Sequence, residues 1–417
     1  MDVFKFGGAS VKNAEAVRNI LTVLKSQKQL PRVVVVSAMD KTTNALENVV
    51  SCYFNNRKMV SSALQEVRKF HSNILLDLFD NDQHPVFGAV NGFFDEVMRF
   101  LESNKSTSYN FVYDQIVGIG EIVSTTIISH FLMDNGIKNQ WLDARTLIKT
   151  NNTYRTAGLH LIKTQQNITQ AIKPNQLYIT QGFIGSDSNN FSTTLGREGS
   201  DYSAAIIGYC INASSVTVWK DVPGILNADP KLFDQTKLIP HMSYEEAIEQ
   251  AYYGATVIHP KTLQPLYQKE IPLFVRSFQD PKSPGTCIKK NKFMPDNICC
   301  YMLLKNQIFI TLSTLDLSYI LEKQFKKIAS LLESYQMKIR LTQNSAISMS
   351  VCFSDPFNHK QSMLHELRAK YDLTVVENVS LYTVLNPQSN RPDFIPEGTN
   401  VLIKQLTNKR LQFVTKS

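Results

Sequence analysis

The chain has 417 residues, of which 43% are hydrophobic and 19% are charged, a composition that suits two or three globular units and excludes a disordered or fibrous protein. Lysine and arginine together (44) exceed aspartate and glutamate (36) by 8, and this excess is spread along the chain. Because the excess forms no basic block, we expect no nucleic-acid binding, and anionic small molecules are the better candidates as partners.

Cysteine spacing and the N-terminal residues bear on the cell compartment. The six cysteines show no CxxC pair and no regular framework, which indicates reduced thiols rather than a zinc site or a secreted disulfide scaffold. Near the N-terminus a charged Lys5 and a glycine pair come before any hydrophobic stretch, and no run approaches the ~18 apolar residues of a membrane span. We therefore expect a soluble, cytoplasmic protein without a membrane partner.

Short runs of β-branched and aromatic residues predict strands that are separated, for the most part, by helix-like patterns. These strands are predicted at residues 3–6, 33–36, 177–180, 216–219 and 273–275. Such alternation predicts an α/β fold with a mainly parallel sheet between layers of helices. Residues 45–102 lack strand-like runs, and the spacing of Leu64, Val67 and Phe70 predicts a helical insertion there.

A polar segment at residues 280–295, rich in proline and lysine, predicts a domain boundary. After it, the predicted order is strand, helix, strand, strand, helix, strand, which is the ferredoxin-like arrangement of an α+β domain. The runs at residues 381–385 and 401–414 predict extra strands. We therefore divide the chain into a larger domain of residues 1–290 and a smaller one of residues 291–417.

Glycines and fixed charges occur together in two segments. Lys5 ends the first predicted strand just before a glycine pair, and residues 195–201 place Arg197 between two glycines before a helix predicted at residues 202–210. Glycine lets the backbone approach a ligand, backbone N–H groups and cations hold phosphate, and arginine suits a carboxylate. By itself Lys5 is better explained as an exposed strand-end lysine, whereas helix capping does not account for both glycines around Arg197.

Because open α/β sheets bind ligands beyond the carboxyl ends of their strands, we expect the loops after the predicted strands to converge on one cleft.

Several other polar residues have two interpretations. Glu121, which follows a glycine at a predicted helix start, suits a substrate ammonium but also simply favours a helix N-terminus. Residues 219–231 suit a nucleotide, with Lys231 near phosphate, but a charged Pro-Gly segment is also typical of a solvated turn. His259 by itself is more often structural than catalytic. The chain has no GxxxxGK[ST], HRD, DFG or HExxH motif, which argues against P-loop, protein-kinase and zincin chemistry.

Taken in order, these motifs resemble those of the aspartate kinases of the amino-acid kinase superfamily. The matching segments are residues 5–11, 33–38, 120–121, 181–185, 195–204, 219–224, 229–230 and 254–260. The resemblance covers roughly residues 1–290 and implies the amino-acid-kinase type of fold. It also implies phosphoryl transfer from ATP, with Mg²⁺, to the side-chain carboxylate of L-aspartate, the first step towards lysine, threonine and methionine.

The same resemblance implies roles for individual residues. The phosphoryl-transfer centre would comprise Lys5, Gly8 and Asp201. The substrate aspartate would contact Ser37, Glu121, Arg197 and Ser200, with Glu121 at its amino group and Arg197 at its carboxylate. The nucleotide would be bound by Lys5, Gly7, Gly8, Ser10, Lys220, Asp221, Gly224, Ile225, Asp229, Lys231, Ala255, Thr256 and Val257. No residues for a resident metal ion are implied.

The sequence departs from the family pattern at several of these segments. Members usually have Thr at Ala9, Gly at Glu198, Thr at Lys220, Asp at Pro223 and Arg at Lys231. Ala9 lacks a hydroxyl that would contact phosphate or substrate, and Lys231 keeps the charge without the bidentate fork.

Residues 291–417 resemble, more weakly, the ACT regulatory units of aspartate kinases. This implies a homodimer and an amino-acid effector, for which lysine and threonine are the candidates, and we expect a monofunctional enzyme. Two alternatives stay open from the sequence: a kinase for another amino-acid carboxylate such as glutamate, and a catalytically silent amino-acid sensor.

Overall fold

A computed structural model of the chain describes residues 2–27, 29, 31–255, 257–316, 319–320, 322–388 and 399–416. The chain forms two compact units. The first contains Met1–Ile225, Leu238–Ile248 and Val257–Met294, and the second contains Leu226–Lys237, Glu249–Thr256 and Pro295–Ser417.

Up to residue 294, short strands alternate with helices. The strands are β1 (Asp2–Phe6), β2 (Val33–Val36), β3 (Gln140–Leu142), β4 (Tyr178–Gln181), β5 (Ile184–Ser186), β6 (Ser192–Thr194), β7 (Ser215–Lys220), β8 (His241–Met242), β9 (Leu273–Ser277) and β10 (Thr286–Ile288). The helices are α1 (Ala14–Lys25), α2 (Thr42–Asn55), α3 (Val60–Leu78), α4 (Pro85–Ser103), α5 (Tyr109–Val117), α6 (Ile119–Asp134), α7 (Ala144–Leu147), α8 (Leu161–Ala171), α9 (Gly199–Cys210), α10 (Tyr244–Tyr252) and α11 (Pro260–Gln268). Helices α2 to α4 confirm the predicted helical insertion.

The described part of the first unit contains one eight-stranded sheet, in the order β3-β4-β2-β1-β7-β9-β10-β8. The strands from β3 to β9 in this order all pair in parallel, whereas β10 is antiparallel to β9. The predicted α/β fold with a mainly parallel sheet is therefore confirmed. Strands β3, β5, β6, β8 and β10 were not predicted, because a strand of two or three residues carries too little periodicity to be told from a loop.

The two faces of the central strands carry different chemistry. Side chains alternate along β1, so Phe4 and Phe6 lie on one face, where Trp219 of β7 packs against both rings. Lys5 lies on the opposite face, which helix α9 covers. The four valines of β2 are fully buried, as expected of a central strand with helices on both sides.

Among the described residues, one helical stretch is long and apolar enough to be compared with a membrane span; it runs through α5 and α6, from Tyr109 to Asp134. By length and mean hydropathy it is sufficient to cross a membrane, although it is no continuous apolar run, and 89% of its most apolar window is buried inside the protein. Helix α6 is apolar on nearly all sides because the protein surrounds it. This stretch therefore belongs to the hydrophobic core, with residues such as Ile116, Ile122 and Ile127.

The second unit is built around an antiparallel sheet. Its strands are β11 (Cys300–Thr314), β12 (Lys338–Asn344), β13 (Ser348–Ser354), β14 (Tyr371–Leu385), β15 (Val401–Leu406) and β16 (Arg410–Lys416), and its helices are α12 (Glu322–Ser334) and α13 (Lys360–Arg368). The strands lie in the order β12-β13-β11-β14-β16-β15. Ile310, Leu332 and Phe353 belong to the core that the helices form with one face of this sheet. The predicted ferredoxin-like order is confirmed. The extra strands differ from the prediction: residues 381–385 are the end of β14, and the run at residues 401–414 is divided between β15 and β16.

Replacement of Trp219 measures how much the core beneath the site contributes to stability. Trp219 is fully buried, and no acceptor for its indole N–H lies among the described residues. We expect Trp219→Ala to lower the free energy of unfolding by about 3–5 kcal/mol through the cavity that it leaves. Trp219→Phe keeps most of the ring packing and removes the unpaired donor, so its loss should stay below about 1.5 kcal/mol. Urea denaturation followed by circular dichroism measures both, and equal losses would contradict the packing argument.

Candidate active site

A cleft of about 680 Å³ lies at the carboxyl ends of the central strands in the first unit, where the loops after β1, β2 and β4 meet the start of α9. Its lining residues are Lys5, Gly8, Ser37, Ala38, Asp40, Thr43, Tyr113, Glu121, Arg155, Thr156, Phe183, Gly196, Arg197, Glu198, Gly199, Ser200, Asp201 and Lys220. The expected convergence of strand-end loops on one cleft is therefore confirmed.

Many of the residues singled out from the sequence line this cleft together. They are Lys5, Gly8, Ser37, Glu121, Arg197, Ser200, Asp201 and Lys220. Gly7 adjoins them, since a Cβ added to it would lie 3.3 Å from Lys5 Nζ. Ser10 is buried instead, and its hydroxyl donates to the carbonyl of Trp219, 3.3 Å away. The roles assigned to these residues stay predictions.

Two lysines share one buried carboxylate on the floor of the cleft. Lys5 Nζ lies 2.6 Å from Asp201 Oδ1, and Lys220 Nζ lies 3.3 Å from Asp201 Oδ2. Burial alone would raise the pKa of Asp201, but the two ammonium groups outweigh it and hold that pKa below its usual value. The net charge of the three side chains is +1, so the group can attract a further anion.

Helix α9 brings Asp201 to Lys5. The helix begins at Gly199, three residues before the predicted start, so Ser200 and Asp201 lie within its first turn. Glu198 caps it in a left-handed conformation, with φ 55°. A Cβ at Gly182 would lie 2.5 Å from Ser200 Cβ, so only glycine lets the loop after β4 approach the helix this closely. The carboxylate in the first turn also gains from the helix dipole.

The loops after β1 and β2 are joined through their backbones. The amide of Asp40 donates to the carbonyl of Gly8 over 3.2 Å, and the amide of Ser37 donates to the carbonyl of Phe6 over 3.1 Å. A Cβ at Gly8 would lie 3.0 Å from the carbonyl oxygens of both Ala38 and Asp40. A glycine is therefore needed where these two loops approach each other.

Glu121, in the first turn of α6, is a buried acid on the lining of the cleft. Burial raises the pKa of Glu121 to about 8, although hydrogen bonds from the amide of Ala38 and its own amide, together with the charge of Lys5, oppose the shift. No described residue donates to its Oε2 atom. A buried carboxyl group with an unused oxygen is suited to a cationic ligand group.

The two arginines that line the cleft differ in their exposure and in their partners. Arg197 is exposed, and no ion pair joins it to another described residue. Arg155 pairs with Glu47 at 3.1 Å and lies over the ring of Tyr113. The sequence analysis did not single out Arg155, because it lies in a loop without a glycine-rich motif and far along the chain from the other lining residues.

The other residues predicted to bind the nucleotide, beyond those at or beside the cleft, fall into three groups. Asp221, Gly224, Ile225 and Val257 belong to the first unit, where Lys220 Nζ donates to the carbonyl of Val257. Asp229, Lys231 and Ala255 belong to the second unit, and Asp229 accepts from the amide of Lys231 at 2.9 Å in a local turn. Thr256 lies outside the described residues.

Comparison with known proteins points to one family. A sequence model of the amino acid kinase family matches residues 2–277. The chain is 28% identical over 396 residues to lysine-sensitive aspartokinase 3 of Escherichia coli, and the match covers 92% of this chain and 86% of that protein. It is 31% identical over 297 residues to the chloroplastic bifunctional aspartokinase/homoserine dehydrogenase 2 of Arabidopsis thaliana, covering 69% of this chain but 32% of that protein. The solved structure of E. coli aspartokinase III with aspartate and ADP has a TM-score of 0.81 at 27% identity, and the match covers 100% of this chain and 96% of that one.

The buried ion pairs of Asp201 predict a large effect on stability. We expect Asp201→Asn to lower the free energy of unfolding by about 3–5 kcal/mol, because it leaves the buried charge of Lys5 without its partner. Asp95→Asn is the matched control, since Asp95 is 59% exposed and pairs with Arg68 at the surface; it should change stability by less than about 1 kcal/mol. Urea denaturation measures both variants, and equal effects would contradict the importance of burial.

Proposed function

The chain belongs to the amino acid kinase family, and within this family we propose that it is an aspartate kinase, ATP:L-aspartate 4-phosphotransferase. The observation that carries this proposal is the pairing of Lys5 and Lys220 with the buried carboxylate of Asp201, in the same cleft as Glu121 and Arg197. The similarity to aspartokinases over most of the chain, including one solved with aspartate and ADP, supports the choice of substrates.

Charge repulsion is the main obstacle to this reaction. The acceptor is a carboxylate with an ordinary pKa of about 3.9, so it is ionised at neutral pH and needs no general base. It must approach a triphosphate that is also anionic, and negative charge spreads over the phosphoryl group during transfer. Cations and backbone N–H groups in a cleft are the arrangement that stabilises such charge, because they need no reorganisation during the reaction.

Lys5 and Lys220 supply cationic charge for the phosphoryl group. Asp201 holds both ammonium groups in place, and the glycine turn after Lys5 leaves room for a phosphate beside them. Among the described residues no cluster of three His, Cys, Asp or Glu side chains is placed to hold a metal ion. A magnesium ion bound to the ATP phosphates would supply further positive charge for the transfer.

The acceptor amino acid is proposed to bind between Glu121 and Arg197. The guanidinium of Arg197 suits the α-carboxylate, and the unused oxygen of Glu121 suits the α-ammonium group. Ser37 and Ser200 line the same cleft and offer hydroxyl groups to the substrate. This arrangement leaves the side-chain carboxylate of aspartate free to face the lysines.

Regulation by lysine is a further part of the proposal. We assign catalysis to residues 1–290 and an ACT-type regulatory and dimerisation role to residues 291–417, whose ferredoxin-like order supports it. Lysine is the first effector to test because the E. coli relative is lysine-sensitive, and threonine is the comparison. The homodimer and the cytoplasmic location stay predictions.

A hydroxylamine trap tests the reaction. Purified protein with ATP, Mg²⁺ and L-aspartate should form aspartyl hydroxamate, and L-glutamate in place of aspartate should form much less product. Equal or greater product from glutamate would support a kinase for another amino acid. No product from folded, effector-free protein, together with amino-acid binding but no ATP binding in calorimetry, would support a silent sensor.

Replacement of Lys5 separates turnover from substrate binding. We expect Lys5→Ala to lower kcat by about 100-fold or more, because the lost charge acts mainly on the transferring phosphoryl group, while KM for aspartate changes by less than about threefold. Steady-state kinetics at saturating ATP measures both constants. An increase in KM as large as the decrease in kcat would contradict the assigned role.

The raised pKa of Glu121 predicts proton release when aspartate binds. Glu121 is protonated below about pH 8 in the free protein, and it must ionise to accept an ammonium group. Aspartate affinity should therefore rise with pH up to about pH 8, and close to one proton should be released per aspartate bound at pH 7. Calorimetry in two buffers of different ionisation enthalpy measures that number. It should fall towards zero at pH 9 and in Glu121→Gln. Zero release by the native protein at pH 7 would contradict the raised pKa of Glu121, and unchanged aspartate affinity in Glu121→Gln would refute the ammonium site.

A further inference from the structure

Arg155 is held at the lining of the cleft by a buried carboxylate from a different part of the chain. Its backbone amide lies 3.1 and 3.0 Å from the two carboxylate oxygens of Asp114 in α5. Asp114 is fully buried and also accepts from the amide and hydroxyl of Thr194 in β6, at 2.8 and 2.9 Å. The position of the Arg155 backbone is therefore fixed by charge-assisted hydrogen bonds.

The conformation of Arg155 points to a use for its side chain. Its φ is +69°, in the left-handed region where glycine fits without strain and an arginine is disfavoured. The side chain nevertheless packs over Tyr113, with 4.3 Å between the guanidinium carbon and the ring centroid. Packing on an aromatic ring orients the guanidinium while leaving its N–H groups available to an anion.

Glu47 pairs with one N–H group of this guanidinium. Arg155 Nη2 lies 3.1 Å from Glu47 Oε1, and each of the two side chains is 41% exposed. An ion pair this exposed contributes little, so an anionic ligand can replace Glu47. The ion pair between Arg155 and Glu47 is therefore a contact that a ligand can displace, and it contributes little to the stability of the fold.

The Arg155 loop also touches the loop that carries Arg197. A Cβ at Gly196 would lie 3.3 Å from the carbonyl oxygen of Arg155 and 3.4 Å from Thr156 Cγ2. Both arginines line the cleft that Glu121 also lines. We propose that Arg155 binds the α-carboxylate of the amino-acid substrate together with Arg197, and that Asp114 is the positioning residue for Arg155. This inference rests on the proposed function, because it names a further substrate contact in the same cleft.

The test compares Arg155→Met with Arg68→Met, a matched control. Arg68 also pairs with a carboxylate, that of Asp95, and lies 5.8 Å from an aromatic ring, that of Phe94, but it does not line the cleft. We expect Arg155→Met to raise KM for aspartate by about tenfold or more, with kcat and KM for ATP within about twofold of the native values. Arg68→Met should change none of them. An unchanged KM for aspartate in Arg155→Met, or a larger change in KM for ATP, would overturn the proposal.

A modified substrate identifies the group that Arg155 contacts. The α-amide of aspartate lacks the α-carboxylate charge, so the preference for aspartate over this amide should fall by about tenfold in Arg155→Met and remain in Arg68→Met. If the amide is not phosphorylated, its inhibition constant replaces its KM. Equal losses for both substrates in Arg155→Met would show that Arg155 does not contact the α-carboxylate.

Two further variants separate binding from structure. Glu47→Gln removes the competing anion and should leave KM for aspartate unchanged or lower it by up to about fivefold; an increase would overturn the proposed exchange. Asp114→Asn should reduce the preference for aspartate over the amide, as Arg155→Met does. If Asp114 contributed only to stability, its replacement would leave this preference unchanged. Formation of hydroxamate by the native protein is the prior check, because its absence would refute the proposed function rather than the role of Arg155.

Discussion

Two lysines, Lys5 and Lys220, contact the buried carboxylate of Asp201 and join helix α9 to the central sheet. Lys5 and Asp201 are almost fully buried, so each charge is tolerable only beside the other. The contact requires Lys5 on the face of β1 that α9 covers, and Asp201 in the first turn of that helix. The lysines that are proposed to act on phosphate therefore also join helix α9 to the sheet, through Asp201.

The neighbouring charges of the cleft are arranged so that ligands can replace weak contacts. Burial raises the pKa of Glu121, while Arg197 is exposed and the guanidinium of Arg155 makes only an exposed ion pair with Glu47. None of these groups has to break a strong internal ion pair before it binds an amino acid. The strong ion pairs are confined to the lysines, whose position has to be kept during transfer.

Features that follow from a local pattern were predictable from the sequence, whereas features that depend on contacts between distant segments were not. The valines of β2 predict a buried strand wherever they occur, and the glycines around Arg197 predict a close approach of backbone. Arg155 has no such local signal, because its position depends on Asp114 in a helix 41 residues earlier. The start of α9 at Gly199, three residues before the predicted one, could not be predicted from the sequence. It follows a left-handed residue, Glu198, and glutamate does not ordinarily adopt that conformation.

The sequence alone determined the α/β class of the first unit, the ferredoxin-like order of the second, and the identity of the charged residues beside the glycine turns. These properties follow from side-chain periodicity and from the conformational freedom of glycine, which act over a few residues. Only the packed structure shows that Lys5 Nζ lies 2.6 Å from Asp201 Oδ1, that Arg155 joins the same cleft, and that burial changes the ionisation of Glu121 and Asp201. The reason is that distances and desolvation arise only when segments far apart in the chain pack together.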